Sequence, residues 1–285
     1  MKTILEVLNL STEYLLKQGI SNARQQAVQL ISDILHVVPI DLYLQFDRPL
    51  EDVELQKCRE GLRRRGLREP LQYITGQVEF YDCSFKVNPA VLIPRNETEI
   101  LADLIVQNLR QQDLSGKVLW DVCCGSGCLG ISLKKKFPQL RVILADISDK
   151  ALQVAKENSF LNRVDVEFVQ GDFLQPFKGT QTDFLVCNPP YIPESDWESL
   201  EDEVKYEPKE ALLGGADGLQ FYKRLMTELP FFLKPLGKVW LEIGFNQGTA
   251  VQTLFEQNSR GCRWKICRFE KDWSGNDRFF FLENE

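Results

Sequence analysis

A chain of 285 residues with 44% apolar side chains fits one large or two ordinary domains and can bury a real core. No apolar run approaches a membrane span, and Met1-Lys2-Thr3-Ile4-Leu5-Glu6 breaks its apolar pattern too early for a signal peptide, so a cytoplasmic chain away from membranes is expected. The formal net charge of −7 disfavours a broad nucleic-acid surface, and eight cysteines with no CxxC pair read as reduced thiols.

Residues 1–70 read as a small helical bundle. Ile4, Leu5, Leu8, Leu15 and Leu16 mark one apolar face, and Gly19 is a natural stop. Ser21 is expected to cap a second helix bearing Ala27, Val28, Ile31, Ile34 and Leu35, with His36 at its end in a capping or surface role. Pro39 breaks that helix, a short piece spans Asp41 to Phe46, and a further helix runs from about Glu51 to Arg65. The bundle carries ten basic and ten acidic residues, so the acidic excess lies in the rest of the chain. Its closing run Arg63-Arg64-Arg65 reads as a solvated helix face, or alternatively as a contact for RNA or an acidic partner.

Residues 71–93 change character. Tyr73, Ile74, Val78, Phe80, Tyr81, Phe85 and Val87 favour strands, and Gly76 and Asn88-Pro89 punctuate them, so a linking β-hairpin is expected. Pro94 opens a helix with Glu97 and Glu99 in its first turn. From residue 116 strands and helices alternate to the end. The pattern predicts an α/β unit over 94–285, a mainly parallel sheet covered on both faces, with an antiparallel pair, 264–269 and 278–282, at its edge.

In such a sheet, ligands sit at the carboxyl ends of the strands. Four strand ends carry chemistry. The first is the loop Asp121-Val122-Cys123-Cys124-Gly125-Ser126-Gly127, whose glycines let backbone approach a ligand. The second ends at Asp146, where a carboxylate can accept from both hydroxyls of a ribose. The third ends at Asp172-Phe173, an acceptor for an adenine amine beside an apolar ring face. The run Gly125-x-Gly127-x-x-Gly130 matches a dinucleotide fingerprint literally, but a lone match is weak, and the absence of a Walker lysine excludes a P-loop. Cys123, Cys124 and Cys128 cluster, yet the one histidine, His36, lies far off in sequence, so no metal site is expected.

The fourth strand end is the most specific. The apolar run Phe184 to Cys187 stops abruptly at Asn188-Pro189-Pro190-Tyr191. Asn188 offers a side-chain carbonyl, Pro189 a main-chain carbonyl with no neighbouring N–H, and Tyr191 a flat face. Together they suit a planar NH2, either a side-chain amide or an exocyclic base amine. A proline-ended edge strand with a turn-forming Asn would use the same residues for no chemistry.

With these motifs in order along nearly the whole chain, the sequence resembles the PrmC/HemK family of class I S-adenosylmethionine-dependent methyltransferases. Its signatures are matched by Arg68-Glu69-Pro70-Leu71-Gln72-Tyr73-Ile74-Thr75-Gly76, by Val91 to Glu99, and by Asn188-Pro189-Pro190-Tyr191. Glu207-Pro208, Ala211-Leu212, Gly214-Gly215, Asp217-Gly218-Leu219, Leu241-Glu242-Ile243-Gly244 with Gln247, and Asp272 with Asp277-Arg278 match further stretches. The resemblance implies a Rossmann-like, seven-stranded, mainly parallel sheet preceded by a helical bundle and a connecting hairpin. It implies S-adenosyl-L-methionine as cofactor, S-adenosyl-L-homocysteine as product, and methylation of the glutamine N5 in the Gly-Gly-Gln tripeptide of class-1 peptide-chain release factors. Carried over by position, the cofactor site falls on Cys123, Cys124, Gly125, Ser126, Gly127, Asp146, Phe173 and Asn188. The substrate site falls on Asn188, Pro189, Pro190 and Tyr191, with Asn188, Pro189 and Tyr191 catalytic. The family usually has glycine where Cys123 stands and often tryptophan where Phe173 stands. Cys123 therefore implies a backbone angle that a Cβ tolerates.

Expected partners are release factors, with no stable nucleic-acid partner and a monomeric chain. Residues 1–70 are expected to recognise the body of the protein substrate. The alternatives are glutamine methylation of a ribosomal protein, exocyclic-amine methylation of nucleic acid, and a noncatalytic module with a relic pocket. The nucleic-acid reading needs a basic channel, but outside residues 1–70 there are 24 basic against 31 acidic residues.

Overall fold

The computed structural model describes residues 2–257 and 264–285. The chain divides into two compact units.

The first unit runs to Gln77 and also takes in Glu201–Tyr206. It holds α1 (Ile4–Lys17), α2 (Ala23–Leu35), α3 (Pro39–Leu44), α4 (Asp52–Gly66) and α5 (Leu71–Thr75). Thr3 and Glu6 form a capping box at the start of α1, satisfying two otherwise unpaired N–H groups. Glu51 and Glu54 do the same for α4. Ser21 does not cap α2. Asn22 takes that position in a left-handed conformation, which asparagine tolerates, and makes no side-chain cap bond. His36 closes α2, exposed and also left-handed. Ile4, Leu8, Leu15, Ala27, Ile31, Leu42 and Cys58 form the core of this unit.

The arginine run is mostly spent inside the unit. Arg64 forks onto Glu69. Arg65 is 2% exposed and is satisfied by Gln26, the Glu69 carbonyl and Glu203. Arg63 alone stays at the surface, paired with Glu60. Neither a solvated face nor a free basic contact describes it. Leu71–Thr75 is helical where strand was expected, because Pro70 opens one turn and Gly76, at φ +80°, ends it. The β-favouring Tyr73 and Ile74 yield to those two signals.

The second unit starts at Val78, within β1 (Gln77–Phe80), which makes a two-stranded sheet with β2 (Cys83–Lys86), shorter than the 71–93 hairpin read from sequence. After α6 (Asn96–Leu109) come β3 (Val118–Val122), α7 (Cys128–Lys136), β4 (Arg141–Asp146), α8 (Asp149–Leu161), β5 (Glu167–Gln170) and β6 (Thr182–Cys187). Then follow α9 (Gln220–Phe232), β7 (Leu233–Glu242), α10 (Gly248–Gln257), β8 (Trp264–Lys271) and β9 (Asp277–Asn284). The seven-stranded sheet has the order β5-β4-β3-β6-β7-β9-β8. It is parallel except for β9, which runs antiparallel to β7 and to β8.

Side chains alternate across a strand, so each strand feeds both faces. Leu119, Val142, Leu144, Phe184, Val186 and Trp240 join one core with Ile105, Ile131 and Leu152. Trp120, Ile143, Leu185, Val239 and Leu241 join the other with Tyr222, Leu225, Leu229 and Phe255. Burial on both faces is why these strands read as unbroken apolar runs. The strand order reverses between β3 and β6, which opens a crevice at their carboxyl ends.

Candidate active site

A cavity of about 340 Å³ lies at that crevice, with Cys123, Gly125, Asp146, Phe173, Asn188 and Pro190 among its walls. Leu92, Phe221 and Arg224 also line it without having been foreseen. A smaller cavity of about 40 Å³ shares Cys123, Gly125 and Asn188 and adds Cys124, Ser126, Thr98 and Asp121. Gly127, Pro189 and Tyr191 line neither cavity. Gly127 packs inward at φ +79°, where a Cβ would fall 2.9 Å from Ile131 Cδ1.

Two carboxylates, the buried Asp121 and the half-buried Asp146, fix the start of α7 and the glycine loop. Asp121 Oδ2 accepts from Gly130 N at 2.8 Å. Burial pushes the Asp121 carboxyl up to about 7, against the pull of that hydrogen bond. Asp146 Oδ2 accepts from Gly125 N and its Oδ1 from Ser148 N, both at 2.9 Å. Burial raises its pKa as well. Both Asp146 oxygens are thus already engaged once, and each keeps a second lone pair for a ligand. Asp172, read from sequence as an acceptor for an amine, lines the cavity and is ion-paired with Arg224 at 2.6 Å. The Arg224 guanidinium also lies over the Phe173 ring, 4.7 Å from its centroid.

Cys123 and Phe173 both sit in the left-handed region, at φ +60° and +58°. The expectation that Cys123 occupies an angle comfortable for a Cβ is therefore wrong. The loop keeps the backbone angle that glycine adopts freely and carries a side chain there at a cost of about 1–2 kcal/mol. Strain of this kind persists where surrounding structure over-determines it. Gly125, at φ +52°, meets no protein atom within 4 Å of a built Cβ. Open space over a bare backbone is what a ligand approaching the loop requires.

At the fourth strand end, β6 is buried throughout and delivers a half-buried Asn188. Asn188 Nδ2 lies 3.4 Å from Thr98 Oγ1, whose own proton goes to Glu242 Oε2 at 2.7 Å. Pro189 and Pro190 are buried. Tyr191 packs against the core that holds Leu185 and Tyr222, and burial holds its phenol protonated, well above the ordinary range. Gln247 fixes the motif by donating to the carbonyls of Tyr191 and Gly218 while accepting from Gly244 N. Gly214 and Gly218 lie against the same backbone; a Cβ would fall 2.6 Å from Pro190 O at the first and 2.3 Å from Tyr191 O at the second. Glu207 accepts from Ile93 N and pairs with Arg95, holding the segment that leads into α6. Sequence reasoning gave Thr98, Glu207, Glu242 and Gln247 no role. All four lie in the stretches that carry the family resemblance, and Glu242 also interrupts the apolar run Val239-Trp240-Leu241-Glu242-Ile243.

Among the described residues no helix is long and apolar enough to cross a membrane, and no group of three His, Cys, Asp or Glu side chains is placed to hold a metal ion. Cys58, Cys83, Cys123, Cys124, Cys128, Cys187 and Cys267 are free thiols, and Cys262 lies outside the described residues.

Comparison with known proteins bears on the family and the fold. Residues 6–76 match the PrmC N-terminal domain and residues 84–204 the methyltransferase small domain. The release factor glutamine methyltransferase of Chlamydia trachomatis is 40% identical over 98% of this chain and 94% of its own length. That of Enterococcus faecalis is 38% identical over 99% of both. Among solved structures, the hMettl16 catalytic domain aligns with TM-score 0.54 at 16% identity, covering 82% of each chain. The 16S rRNA methyltransferase RsmC of T. thermophilus, in complex with AdoMet and guanosine, aligns with TM-score 0.53 at 13% identity, covering 73% of this chain and 50% of that one. These two likenesses show the fold, and the two full-length relatives do more: the chain belongs to the release factor glutamine methyltransferase family.

Proposed function

We propose that this chain transfers a methyl group from S-adenosylmethionine to the side-chain amide N5 of the glutamine in the Gly-Gly-Gln motif of class-1 peptide-chain release factors. The observation that carries the reading is the placement of Asn188. It ends a fully buried strand, borders both cavities, and has its NH2 directed at Thr98, which leaves Oδ1 as an acceptor. The full-length relatives bear the name of the same reaction.

The residues fit the cofactor. The open space over Gly125 admits close backbone approach, Asp146 retains lone pairs for a ribose diol, and Phe173 and Leu92 offer apolar walls for a base. Cys123, Cys124, Ser126 and Gly127 complete the loop that would hold the amino-acid end. When bound, the cofactor supplies an electrophilic methyl on sulfur.

The rest of the chemistry is asked of the protein. An amide nitrogen is a poor nucleophile because its lone pair is delocalised into the carbonyl. No His or Lys occurs in the Asn188–Tyr191 motif to act as a base. Catalysis then rests on position: Asn188 Oδ1 and the Pro189 carbonyl accept the two amide hydrogens and aim the nitrogen, while Tyr191 and Pro190 pack beside the amide plane. The proton leaves to water after transfer. Residues 1–70 are assigned to the body of the release factor, since a tripeptide offers too little surface for selectivity. The chain is read as a cytoplasmic monomer without a stable nucleic-acid partner.

The test is incubation with methyl-labelled cofactor and, separately, a release factor, ribosomal proteins and nucleic acid, with mass spectrometry of the products. Label on the Gly-Gly-Gln glutamine is expected. Label on a ribosomal protein or a base, with none on the release factor, rejects the reading. Asn188→Ala is expected to abolish transfer while cofactor affinity stays within about tenfold, the worth of one hydrogen bond.

A further inference from the structure

Three side chains from separate elements form a line at the acceptor end of the site. Thr98, in the first turn of α6, and Glu242, at the end of β7, are each 2% exposed. Thr98 Oγ1 stands 2.7 Å from Glu242 Oε2 and 3.4 Å from Asn188 Nδ2. A hydroxyl owns one proton. Glu242 as a carboxylate can only accept, so Thr98 donates to it and turns lone pairs toward Asn188. Only the NH2 end of the Asn188 amide can donate to those lone pairs. The carbonyl end is then the one left for an incoming N–H.

Building on the proposed function, we infer that Thr98 and Glu242 are positioning residues that hold the Asn188 amide with Oδ1 toward the acceptor nitrogen, and that a proton on Glu242 releases this hold. The reversal follows from the same proton count. A neutral Glu242 carboxyl can donate to Thr98 Oγ1. Thr98 is then free to donate to Asn188 Oδ1, and the amide turns over. Its NH2 would meet the NH2 of the substrate, donor against donor, and the acceptor would be lost. Thr98 and Glu242 touch neither cofactor nor substrate in this scheme; they act through Asn188.

The surroundings of Glu242 place that reversal near neutrality. Burial pushes its carboxyl up to about 7. The Thr98 bond and the cations Arg278, from β9, and Arg95, before α6, pull it down, and Glu97 pushes it up. Tyr222, on α9, donates its phenol to the Glu242 carbonyl at 3.0 Å. Tyr191, Tyr222 and the Cys128 thiol on α7 also feel Glu242, and burial keeps all three protonated through this range. Asp121 titrates in the same range, but its hydrogen-bond partner is Gly130 N in the first turn of α7, not Asn188.

The test uses the full chain with a release factor as substrate, across pH 6 to 9, in wild type and in Thr98→Val, Thr98→Ser and Glu242→Gln. Wild-type kcat is expected to fall on the acid side of about 7, as half of a bell-shaped profile does. Thr98→Val should lower kcat about tenfold or more at pH 8, the loss of one oriented hydrogen bond, and should flatten that acid limb. Thr98→Ser, which keeps the hydroxyl, should recover kcat to within about threefold and restore the limb. Glu242→Gln, which cannot ionise, should show no acid limb, because its amide oxygen can accept from Thr98 at every pH. Cofactor affinity by calorimetry and KM for the release factor should stay within about threefold throughout, because binding does not require the amide to be oriented. Wild-type kcat in Thr98→Val overturns the inference. So does a Thr98→Ser as inactive as Thr98→Val, or a cofactor affinity that falls in step with kcat, since either marks a merely structural role. A wild-type chain that methylates no glutamine overturns the functional reading and this one with it, whereas an active wild type beside an indifferent Thr98→Val overturns this one alone.

Discussion

Removing the Asp146 carboxylate should separate cofactor affinity from stability. Its two oxygens hold Gly125 N and Ser148 N at 2.9 Å each, and Asp146 lines the cavity. Asp146→Ala removes the diol acceptor, and hydrogen bonds to a charged group are worth about 1.5–3 kcal/mol. That corresponds to a loss of about 10- to 100-fold in cofactor affinity. The same change frees two backbone N–H groups beside an open cavity that water can enter, at about 1 kcal/mol each. Against this, burial already holds the Asp146 carboxylate in an unfavourable state, and its removal gives part of that back. The net loss of stability should be about 1 kcal/mol, or roughly 2–4 °C in Tm for a chain of this size. Asp146→Asn keeps one oxygen and should fall between the two. Calorimetric titration with S-adenosylmethionine and with its homocysteine product gives the affinities, and thermal melts give the stabilities. An Asp146→Ala affinity within about twofold of wild type would refute the placement of the ribose there. A Tm loss of ten degrees or so would show instead that Asp146 is chiefly a loop anchor.

Three further outcomes follow from the same geometry. Cys123→Gly should be more stable than Cys123→Ala by about 1 kcal/mol in denaturant unfolding, the reverse of the usual order, because only glycine is at ease at φ +60°; Ala as the more stable variant would contradict the strain. The Asp121 carboxyl is raised from 3.8 to about 7 on folding, so the folded chain holds a proton that the unfolded chain has released, and stability from this group falls as pH rises between those values. Asp121→Asn should therefore gain on wild type from pH 5 to pH 8, and a pH-independent difference between the two would exclude that titration. Deleting residues 1–70 also removes the Glu203 partner Arg65 and the Tyr206 acceptor Leu67 O, so cofactor titration must first show that the truncated chain is folded. It should then show a much raised KM for an intact release factor and little change toward a Gly-Gly-Gln peptide, while equal efficiency on the full factor would remove recognition from the bundle.

The sequence by itself determined the elements whose signals are local. The alternation after residue 116, the apolar strands, the glycine loop and the abrupt Asn188-Pro189-Pro190-Tyr191 end were all legible, because burial on two faces and proline's missing N–H leave marks in a single stretch of chain. Leu71–Thr75 was misread for the complementary reason: two terminal signals, Pro70 and Gly76, outweighed strand-favouring residues between them. What only the tertiary structure decided concerns groups that meet from far apart. The left-handed angle of Cys123 belongs to a loop pinned by Asp146, 23 residues on. Arg65 is buried because Glu203 comes to it. Thr98 and Glu242 acquire a purpose only when α6 and β7 bring them against Asn188. A buried hydroxyl or carboxyl has no meaning in sequence until its partner is known, because its cost or use is set by the proton it can give or take there.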